Sequence, residues 1–485
     1  MTAQRARRAN IQQSMRTQIV VWWMLFAALL LPFRAPAQGG AAVPLPASHY
    51  FLKCRKLIVP LTGAVIETAV IEVSGGRVLR VGKAAEVKIP ADATLVDFGD
   101  KYVIPGLIET HGHLYTNLFQ GHSSNELLPR LFLAGGITSV LDPGSFNPEG
   151  DFAIRNRVDS GVSPGPRFFL SGEYLQMSPP DTGMAKLSTV EEANLRIDRW
   201  ADQGSAAIKI YNGMHGDILK AAIEHAHARG LRVVAHIGAI TYSEAIEDGI
   251  DVLYHGIYAM PELMPPGMPP EAIGMMNTDF APPEYDRFYK ALGEADLHQP
   301  AITDMLKRAA SARVVFGLTI VALEPPSLQL DEMERQKKFY SDEAWKKVEK
   351  RASAPAKPFA KAVFEKNIEF AWLAHEAGVP LTIGTDMTNL QLLPQFAFWR
   401  EMEILARSGM SPMEVLKAAT ANGAFAIGRS DSIGSIAPGQ LADFVVLNAD
   451  PLQDISNTRA VYRVVKNGTV YDPETLLKPL IGRVH

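Results

Sequence analysis

The chain has only one cysteine, Cys54, among its 485 residues. No disulfide can form within the chain, so the hydrophobic core must stabilise the fold, and a chain of this length can bury a core large enough. Long apolar runs are also missing, since the N-terminal run Ile19–Leu31 has thirteen residues where a membrane span needs about 20. A net charge of −4 with interspersed signs leaves no basic patch for a nucleic acid or an anionic membrane. We therefore expect a small-molecule partner.

The N-terminal segment predicts export. Four arginines precede the apolar run, namely Arg5, Arg7, Arg8 and Arg16. The Ala-Pro-Ala sequence at 35–37 then offers a cleavage site of small residues. We interpret residues 1–37 as the signal peptide of a periplasmic or secreted protein, which keeps no stable membrane anchor after cleavage. An uncleaved anchor is the alternative, and translation could start at either Met1 or Met15.

The region 103–430 alternates short β-branched runs with longer amphipathic stretches. Eight such runs occur, among them VIPGLIETHGHL, RFFLSGEYL, AAIKIYN and PLTIGTD, and helical patterns such as TVEEANLRIDRWADQG lie between them. This alternation is typical of an α/β protein with a (β/α)₈ TIM barrel. The segments 48–102 and 431–478 contain short strand patterns broken by turns. They predict one small β-sandwich domain built from both ends of the chain.

Two His-x-His motifs occur in different surroundings. His111 and His113 follow a run rich in Val, Ile and Leu, so we expect them on a strand, where residues two apart face the same side. His225 and His227 lie within a helical pattern, where residues two apart point in different directions. We interpret the second pair as part of a solvated helix face. Only the first pair is a candidate for half of a metal site.

Barrel enzymes carry their chemistry at the C-terminal ends of the strands. Six polar residues are expected there: His111, His113, Lys209, His236, His255 and Asp386. A single histidine in such a strand is more often a hydrogen-bonded core residue, and Lys209 could pair with a carboxylate. The six together favour a site for divalent metal. If CO₂ condenses with its neutral amine, Lys209 becomes a carbamate, an anionic ligand able to bridge two ions.

The motifs PGLIETHGH, IKIY, VVAHIG, LYHG, TIGTD and GSIAPGQLADFVVLNADPL together resemble those of the metal-dependent amidohydrolase superfamily, in its binuclear form with a carboxylated lysine. The implied ligands are His111, His113 and Asp386 for the first ion and His236 and His255 for the second, with carboxylated Lys209 bridging both. The usual metal of the family is zinc, so the resemblance implies two divalent ions, most simply Zn²⁺.

The same resemblance implies a hydrolytic mechanism. A hydroxide bridging two cations is available near neutral pH, and one cation polarises the carbonyl under attack. Asp386 would pass the proton of the nucleophile to the leaving nitrogen. Tyr211 lies two residues after Lys209, and its phenol could stabilise the oxyanion. Alternatively, Tyr211 is only a packed aromatic residue at the rim.

The motifs are most similar to those of exported prolidase-like, dipeptidase-like and ochratoxin amidase-like members. We therefore predict hydrolysis of a C–N amide bond in a peptide-like or N-acyl-amino-acid substrate, by a homo-oligomeric enzyme. The alternatives are opening of a cyclic amide or imide, lactone hydrolysis, deamination and a metal-binding protein without activity. Deamination is disfavoured because residue 239 is alanine, where related mononuclear deaminases tend to carry glutamate. A pure binding protein would not need an open, water-bearing metal pair.

The segment 258–290, which follows the sixth predicted strand, is long for a loop and rich in Met and Pro. Flexible thioethers adapt to apolar ligands, so we interpret this segment as a lid that shapes the substrate pocket. A surface or subunit contact is the alternative.

Overall fold

The computed structural model describes residues 42–43, 49–114, 127–177, 186–264, 283–353, 359–386 and 392–484. The predicted signal peptide lies outside these ranges, as does the central part of the predicted lid, 265–282. Every described residue falls within one structural unit, Gly40–His485. None of the helices in these ranges combines the length and the apolar character needed to cross a bilayer.

Six strands precede the parallel part of the fold. They are β1 (Ala42–Val43), β2 (His49–Val59), β3 (Ala64–Ser74), β4 (Arg77–Lys83), β5 (Leu95–Asp97) and β6 (Tyr102–Pro105). Strand β2 pairs with β3 in the antiparallel direction, and β3 pairs with β4 in the same way. Strand β2 also pairs with β6 in the parallel direction. The chain leaves this sheet through β6 and enters the parallel region directly afterwards.

Nine strands form the parallel region. They are β7 (Leu107–Glu109), β8 (Ile137–Asp142), β9 (Arg167–Leu170), β10 (Tyr174–Leu175), β11 (Ala207–Ile210), β12 (Arg232–Ala235), β13 (Val252–Tyr254), β14 (Val315–Gly317) and β15 (Leu381–Thr382). They pair in two parallel arcs, β7-β8-β9 and β10 to β15 in order. The predicted parallel α/β architecture is confirmed. Among the described residues the ladders do not form one continuous ring, so the closed barrel stays a prediction.

Two of the predicted strands are wrong as single strands. The run VIPGLIETHGHL divides into β6 and β7 at Gly106, because the backbone changes partners there: the N–H of Gly106 donates to Asp443, whereas the N–H of Leu107 donates to Gly136. As a result, the predicted boundary between residues 102 and 103 falls inside β6. The run RFFLSGEYL divides into β9 and β10 at Ser171, whose backbone N–H and hydroxyl both donate to the carbonyl oxygen of Asp142. A side chain that competes for backbone groups interrupts regular pairing.

Helices occupy most of the connections between the parallel strands, as predicted, and three further helices follow β15. They are α1 (Leu127–Ala134), α2 (Pro148–Asp159), α3 (Val190–Asp202), α4 (Gly216–Ala228), α5 (Tyr242–Glu247), α6 (Pro283–Gly293), α7 (Pro300–Ala312), α8 (Leu330–Gln336), α9 (Asp342–Ala352), α10 (Ala360–Glu376), α11 (Pro394–Arg407), α12 (Pro412–Lys417) and α13 (Gly423–Ile427). Short 3₁₀ segments follow two strands, Gly256–Ala259 after β13 and Ile320–Leu323 after β14. The periodic pattern TVEEANLRIDRWADQG forms α3, which buries Ala193, Ile197 and Trp200 along one face.

The C-terminal strands return to the first sheet. They are β16 (Phe444–Leu447), β17 (Val461–Lys466) and β18 (Thr469–Tyr471), followed by α14 (Pro473–Leu477). The sheet has nine strands in the order β1-β18-β17-β16-β6-β2-β3-β4, with β5 paired to β2. Both ends of the chain thus share one sheet, while its predicted organisation as a two-layered sandwich stays a prediction. Alternation along β16 sends Phe444 into the core of this sheet and Val445 into the core of the parallel region.

Candidate metal centre

The predicted polar residues lie at or just beyond the C-terminal ends of the parallel strands. Lys209 is the third residue of β11, His236 follows β12 directly, and His255 follows β13 directly. His111 lies two residues after β7, and Asp386 lies four residues after β15. Because parallel strands end at the same edge, residues from distant parts of the sequence meet there.

His111, His113 and Asp386 form the first group. The Nε2 atom of His111 lies 3.7 Å from Oδ1 of Asp386, and the Nε2 atom of His113 lies 3.4 Å from the same oxygen. One potential ligand atom from each of the three residues lies within 4.8 Å of those from the other two. Three donors from two strand ends can therefore face a single cation.

The two histidines of this group lie in a turn, so their expected position on a strand is wrong. Strand β7 ends at Glu109, yet the two imidazole rings still lie 5.1 Å apart and both face Asp386. Gly112 between them packs closely on its neighbours, because a Cβ atom there would lie 2.8 Å from Cγ of Glu109. Only glycine fits this tight turn without displacing its neighbours.

Lys209, His236 and His255 form the second group, next to the first. The rings of His236 and His255 have centroids 4.3 Å apart, and His255 lies 4.8 Å from the ring of His111. The Nζ atom of Lys209 lies 4.6 Å from the ring centroid of Tyr254, and that ring is 4.1 Å from the ring of His111. The two groups therefore share one buried polar cluster.

Burial keeps most of the imidazoles neutral. It lowers the pKa of His111 and of His236 well below the usual value for histidine, and neighbouring positive charges lower both further. Burial also lowers the pKa of His255 to about 3, although the charge of Asp386 opposes the change. His113 differs, because hydrogen bonds to Asp142 and Asp386 outweigh its burial and raise its pKa to about 9.

Several buried nitrogen atoms lack partners, and this tests whether the donor set fits a metal ion. Nδ1 of His111, Nζ of Lys209 and Nε2 of His236 are buried and have no hydrogen-bond partner. Buried polar atoms in folded proteins are nearly always bonded. Neutral imidazole nitrogens beside a carboxylate are ligands suited to zinc and similar divalent ions. The residues present therefore fit a divalent cation.

Lys209 has no ion-pair partner in the described part of the chain, contrary to the alternative that it pairs with a carboxylate. Its side chain is 1% exposed. Burial lowers the pKa of Lys209 to about 7, although the charges of Asp386 and Asp142 oppose this shift. A substantial fraction of the amine is therefore neutral at physiological pH.

Asp142 supports the first group, and the sequence analysis missed it. Its Oδ1 atom lies 3.2 Å from Nδ1 of His113, and its Oδ2 atom accepts a hydrogen bond of 3.1 Å from the N–H of Leu114. A carboxylate that holds the second ring nitrogen of a metal-binding histidine fixes the ring orientation and the tautomer. The available signal was a carboxylate at the C-terminal end of an apolar strand, in the sequence SVLDPG.

Glu109 joins the two loops that carry the first group. It accepts hydrogen bonds from the N–H of His111 at 2.8 Å and from the N–H and hydroxyl of Thr385 at 3.1 and 2.9 Å. Complete burial raises the pKa of Glu109 to about 7, although these hydrogen bonds oppose the shift. Backbone bonds of 2.9 Å also connect the same loops, from Thr110 to Ile383 and from Asp386 to His111.

A second buried carboxylate supports His255 through an intermediate residue. Nδ1 of His255 lies 3.0 Å from the hydroxyl oxygen of Thr319. The next two residues, Ile320 and Val321, donate their N–H groups to Glu401 on α11 at 2.9 and 2.6 Å. Glu401 therefore holds the turn that positions Thr319.

The backbone is strained at two of the predicted ligands and one supporting residue. His255, Asp386 and Thr319 adopt left-handed conformations, with φ values of +80°, +51° and +50°. Residues other than glycine rarely adopt this region, and such strain concentrates at functional sites. The strain at these positions is consistent with a requirement for side-chain placement.

Tyr211, the predicted oxyanion residue, lies beside the second group. Tyr211 lies directly after β11, and its ring centroid is 5.1 Å from that of His236. Burial raises the pKa of the Tyr211 phenol, so this group keeps its proton.

The second His-x-His pair lies on α4, where His225 bonds to Asp198 at 2.9 Å and His227 bonds to Asp251 at 3.0 Å. The two histidines of this pair therefore contact different carboxylates, on opposite sides of the helix sequence.

Most of the sequence matches one known protein family. The sequence matches the amidohydrolase family over residues 102–471, which includes all of the predicted site residues. The chain belongs to the amidohydrolase family.

Three individual proteins are similar to part or most of this chain. An ochratoxinase of Aspergillus niger is 32% identical over 138 residues, which are 27% of this chain and 24% of that protein. This chain thus spans about a quarter of the length of the ochratoxinase it matches. An imidazolonepropionase of Symbiobacterium thermophilum is 25% identical over 84% of this chain and 90% of its own length. The crystal structure of a Xaa-Pro dipeptidase with bound methionine has a TM-score of 0.65, at 20% identity, over 88% of this chain and 100% of its own. The last likeness shows a common fold.

Proposed function

We propose that this chain is a binuclear, metal-dependent hydrolase that cleaves a C–N amide bond in a peptide-like or N-acyl-amino-acid substrate. One observation carries the proposal. The side chains of His111, Lys209 and His236 are buried, each with one nitrogen atom that has no hydrogen-bond partner, and His111 lies 3.7 Å from the carboxylate of Asp386 at the C-terminal edge of the parallel strands. Burial of nitrogen atoms without partners costs free energy. Bound divalent cations would supply the partners of neutral imidazoles.

In this proposal the ligands divide into two sets. His111, His113 and Asp386 would hold one divalent ion, and His236 and His255 would hold the other. The contact of 3.9 Å between Nδ1 of His255 and Oδ2 of Asp386 supports the closeness of the two sets. The most suitable ion is Zn²⁺, because imidazole predominates among the donors.

Lys209 would join the two sets as a carbamate. The neutral amine nitrogen forms a bond to the carbon of CO₂ and releases one proton, which leaves an anionic group with two oxygen atoms. Two properties of Lys209 support this reaction, namely its complete burial and a pKa of about 7. The family resemblance supports it independently, because the lysine lies within the motif IKIY.

The bound ions would supply a nucleophile near neutral pH and polarise the scissile carbonyl. The residues of the chain would position the substrate and move protons. Burial alone would raise the pKa of Asp386, but the hydrogen bond to His113 and nearby positive charges lower it, so this carboxylate is ionised and can accept a proton. The protonated phenol of Tyr211 beside His236 can donate a hydrogen bond to the developing oxyanion.

The substrate class rests on the relatives and on the fold. An ochratoxinase and an imidazolonepropionase are among the similar proteins, and a Xaa-Pro dipeptidase shares the fold. We further propose that the two parallel arcs belong to one closed eight-stranded barrel, which the bonds between the β7 and β15 loops support. Export after cleavage of residues 1–37 and a homo-oligomeric state remain part of the proposal.

The decisive experiment is a substrate screen on purified protein loaded with zinc. We expect about two equivalents of bound metal by elemental analysis and release of free amino acids from dipeptides or N-acyl amino acids. Hydantoins, lactones and aminated purines serve as matched substrates for the alternative reactions. Absence of bound metal after zinc loading, or ammonia release without amide cleavage, would contradict the proposal.

A further inference from the structure

Two buried phenol groups donate hydrogen bonds to backbone carbonyl groups beside the candidate metal ligands. Tyr242 is the first residue of α5 and Tyr254 is the last residue of β13, and both side chains are completely buried. Neither residue is among the predicted ligands. A buried phenol usually has a hydrogen-bond partner, and here the partners of both lie in the short backbone segments that carry ligands.

Tyr242 holds the turn that contains His255. Its hydroxyl lies 2.8 Å from the carbonyl oxygen of Tyr254 and 2.9 Å from that of Gly256, so its single proton is shared between carbonyl groups on either side of His255. His255 and Gly256 both adopt left-handed conformations, with φ values of +80° and +58°. Asn367 of α10 closes the other side of the turn, because a Cβ atom at residue 256 would lie 2.7 Å from its Oδ1 atom. A left-handed conformation at a histidine is unfavourable and needs support from its surroundings.

Tyr254 holds the loop that contains His111. Its hydroxyl donates a hydrogen bond of 2.6 Å to the carbonyl oxygen of Thr110, the residue before His111. The centroid of the Tyr254 ring lies 4.1 Å from that of the His111 ring, and a Cβ atom at Gly317 would lie 2.6 Å from Cδ1 of Tyr254. This packing fixes the ring, so a phenylalanine at this position would lose the hydrogen bond and keep the contacts.

We propose that Tyr242 and Tyr254 are positioning residues, each of which holds the backbone beside a ligand of a different metal ion. Tyr242 acts on His255, a ligand of the second ion in the proposed centre, and Tyr254 acts on His111, a ligand of the first. The inference rests on the proposed binuclear function and adds two residues that set the affinity of the centre for metal.

The effect falls on metal affinity because the hydrogen bonds organise the ligands before an ion binds. A turn that loses its donor leaves a buried carbonyl group without a partner, which costs free energy and favours other conformations in the metal-free protein. The apparent affinity for the ion then falls by the fraction of molecules that keep the binding conformation. Each phenol should therefore affect the ion whose ligand it holds and leave the other ion nearly unaltered.

The test measures two zinc dissociation constants for each protein, by competition with chelators of graded affinity. Tyr242→Phe should weaken one constant by about tenfold, and Tyr254→Phe should weaken the other constant by about tenfold. In each variant the remaining constant should stay within about twofold of the wild type. The double variant should show both losses, because effects at independent sites add.

Tyr50→Phe is the matched control for a loss of stability. Tyr50 on β2 is also buried, and its hydroxyl donates to a backbone carbonyl group, that of Gly468, far from the candidate metal centre in the nine-stranded sheet. This variant should lower Tm of the metal-free protein about as much as the other two variants and leave both zinc constants unaltered. A phenol with a purely structural role would behave as Tyr50 does.

The possible outcomes separate this inference from the proposed function. Zinc constants that are unchanged in both variants, or a loss in the same constant for both, would overturn the positioning role and leave the binuclear centre in place. The expected losses in a zinc-loaded protein that hydrolyses no amide would overturn the proposed reaction and leave the positioning role supported. A protein that binds no zinc would overturn both.

Discussion

The strand ends and helix α4 carry the same types of basic residue, but these side chains are buried at the strand ends and partly exposed on α4. Helix α4 holds Lys220, His225 and His227. Each of them pairs with a carboxylate, at 3.5 Å for Lys220 to Asp248, 2.9 Å for His225 to Asp198 and 3.0 Å for His227 to Asp251. These are partly exposed ion pairs of a kind that contributes little to stability.

At the strand ends the same residue types are buried and face one another. Lys209 and His236 have nitrogen atoms without partners, although β11 and β12 immediately flank α4 in sequence. Side chains on a helix spread around its axis towards solvent, whereas the ends of neighbouring parallel strands converge. Residue type alone therefore does not decide whether a basic side chain pairs with a carboxylate on the surface or joins a buried cluster.

The largest expected effect is that of Lys209→Ala. Removal of an anionic bridge should release one or both metal ions and lower kcat/KM by more than about 100-fold, because loss of an outer partner alone costs about 10- to 100-fold. Acetate or propionate at high concentration should restore part of the rate by filling the gap, whereas methylamine should not.

Lys220→Ala on α4 is the matched control and should retain full metal content. Rescue by the amine in place of the acid would contradict the carbamate. So would native Lys209 without a carbamate signal when ¹³C-labelled CO₂ is supplied to an active, metal-loaded enzyme.

The two His-x-His pairs give the next comparison. His111→Asn should reduce bound zinc below two equivalents and lower kcat/KM by more than about 100-fold, since a ligand is lost. His225→Asn should leave both quantities within about twofold of the wild type, because only a partly exposed ion pair is lost. Elemental analysis and initial rates measure both effects. Equal metal loss in the two variants would erase the distinction between strand ends and helix.

Asp142→Asn should have an intermediate effect. The amide keeps the shape of the side chain but removes the negative charge that orients His113, so metal affinity should fall by about 10- to 100-fold. Competition with a zinc chelator measures the change. Asp198→Asn, which removes the partner of His225 on α4, is the control and should leave zinc affinity unaltered. An unchanged affinity in Asp142→Asn would mean that the turn holds His113 without it.

Glu401 should give the smallest effect, on stability. Burial raises the pKa of Glu401 to about 8, with further contributions from Glu109 and Glu324, while its bonds to Ile320 and Val321 oppose the shift. The folded state therefore retains a proton that the unfolded chain loses above about pH 4.5, so this contribution is present below pH 4.5 and is lost as the pH rises through 8.

Between pH 5 and 8, Tm of the metal-free wild type should consequently fall relative to that of Glu401→Gln. Thermal unfolding of both proteins across this range measures the difference. Parallel pH profiles would show that Glu401 has the same protonation state when folded and unfolded. Asp198→Asn on the exposed face near α4 provides the reference for an ordinary carboxylate change.

The sequence by itself determined the order of strands and helices and the residue types at the strand ends. Periodicity identified α3 and α4, because an apolar face repeats along a helix regardless of its neighbours. It also separated the two His-x-His pairs, since one lay in a helical pattern. The limits of the strands were predicted less well, because two predicted strands divide at Gly106 and at Ser171. Those divisions follow backbone hydrogen bonds to Asp443 and Asp142, which lie elsewhere in the sequence, so the apolar runs alone do not show them.

Only the tertiary structure decided which carboxylates support the site and which aromatic rings approach it. Asp142 and Glu109 lie among apolar strand residues, and their roles appear only when His113 and Thr385 come within hydrogen-bonding distance. The turn at Gly112 likewise replaced the expected strand and still brought His111 and His113 to Asp386. The physical reason is that burial and orientation are set by contacts between strand ends far apart in sequence. A residue's neighbours along the chain contain no record of those contacts.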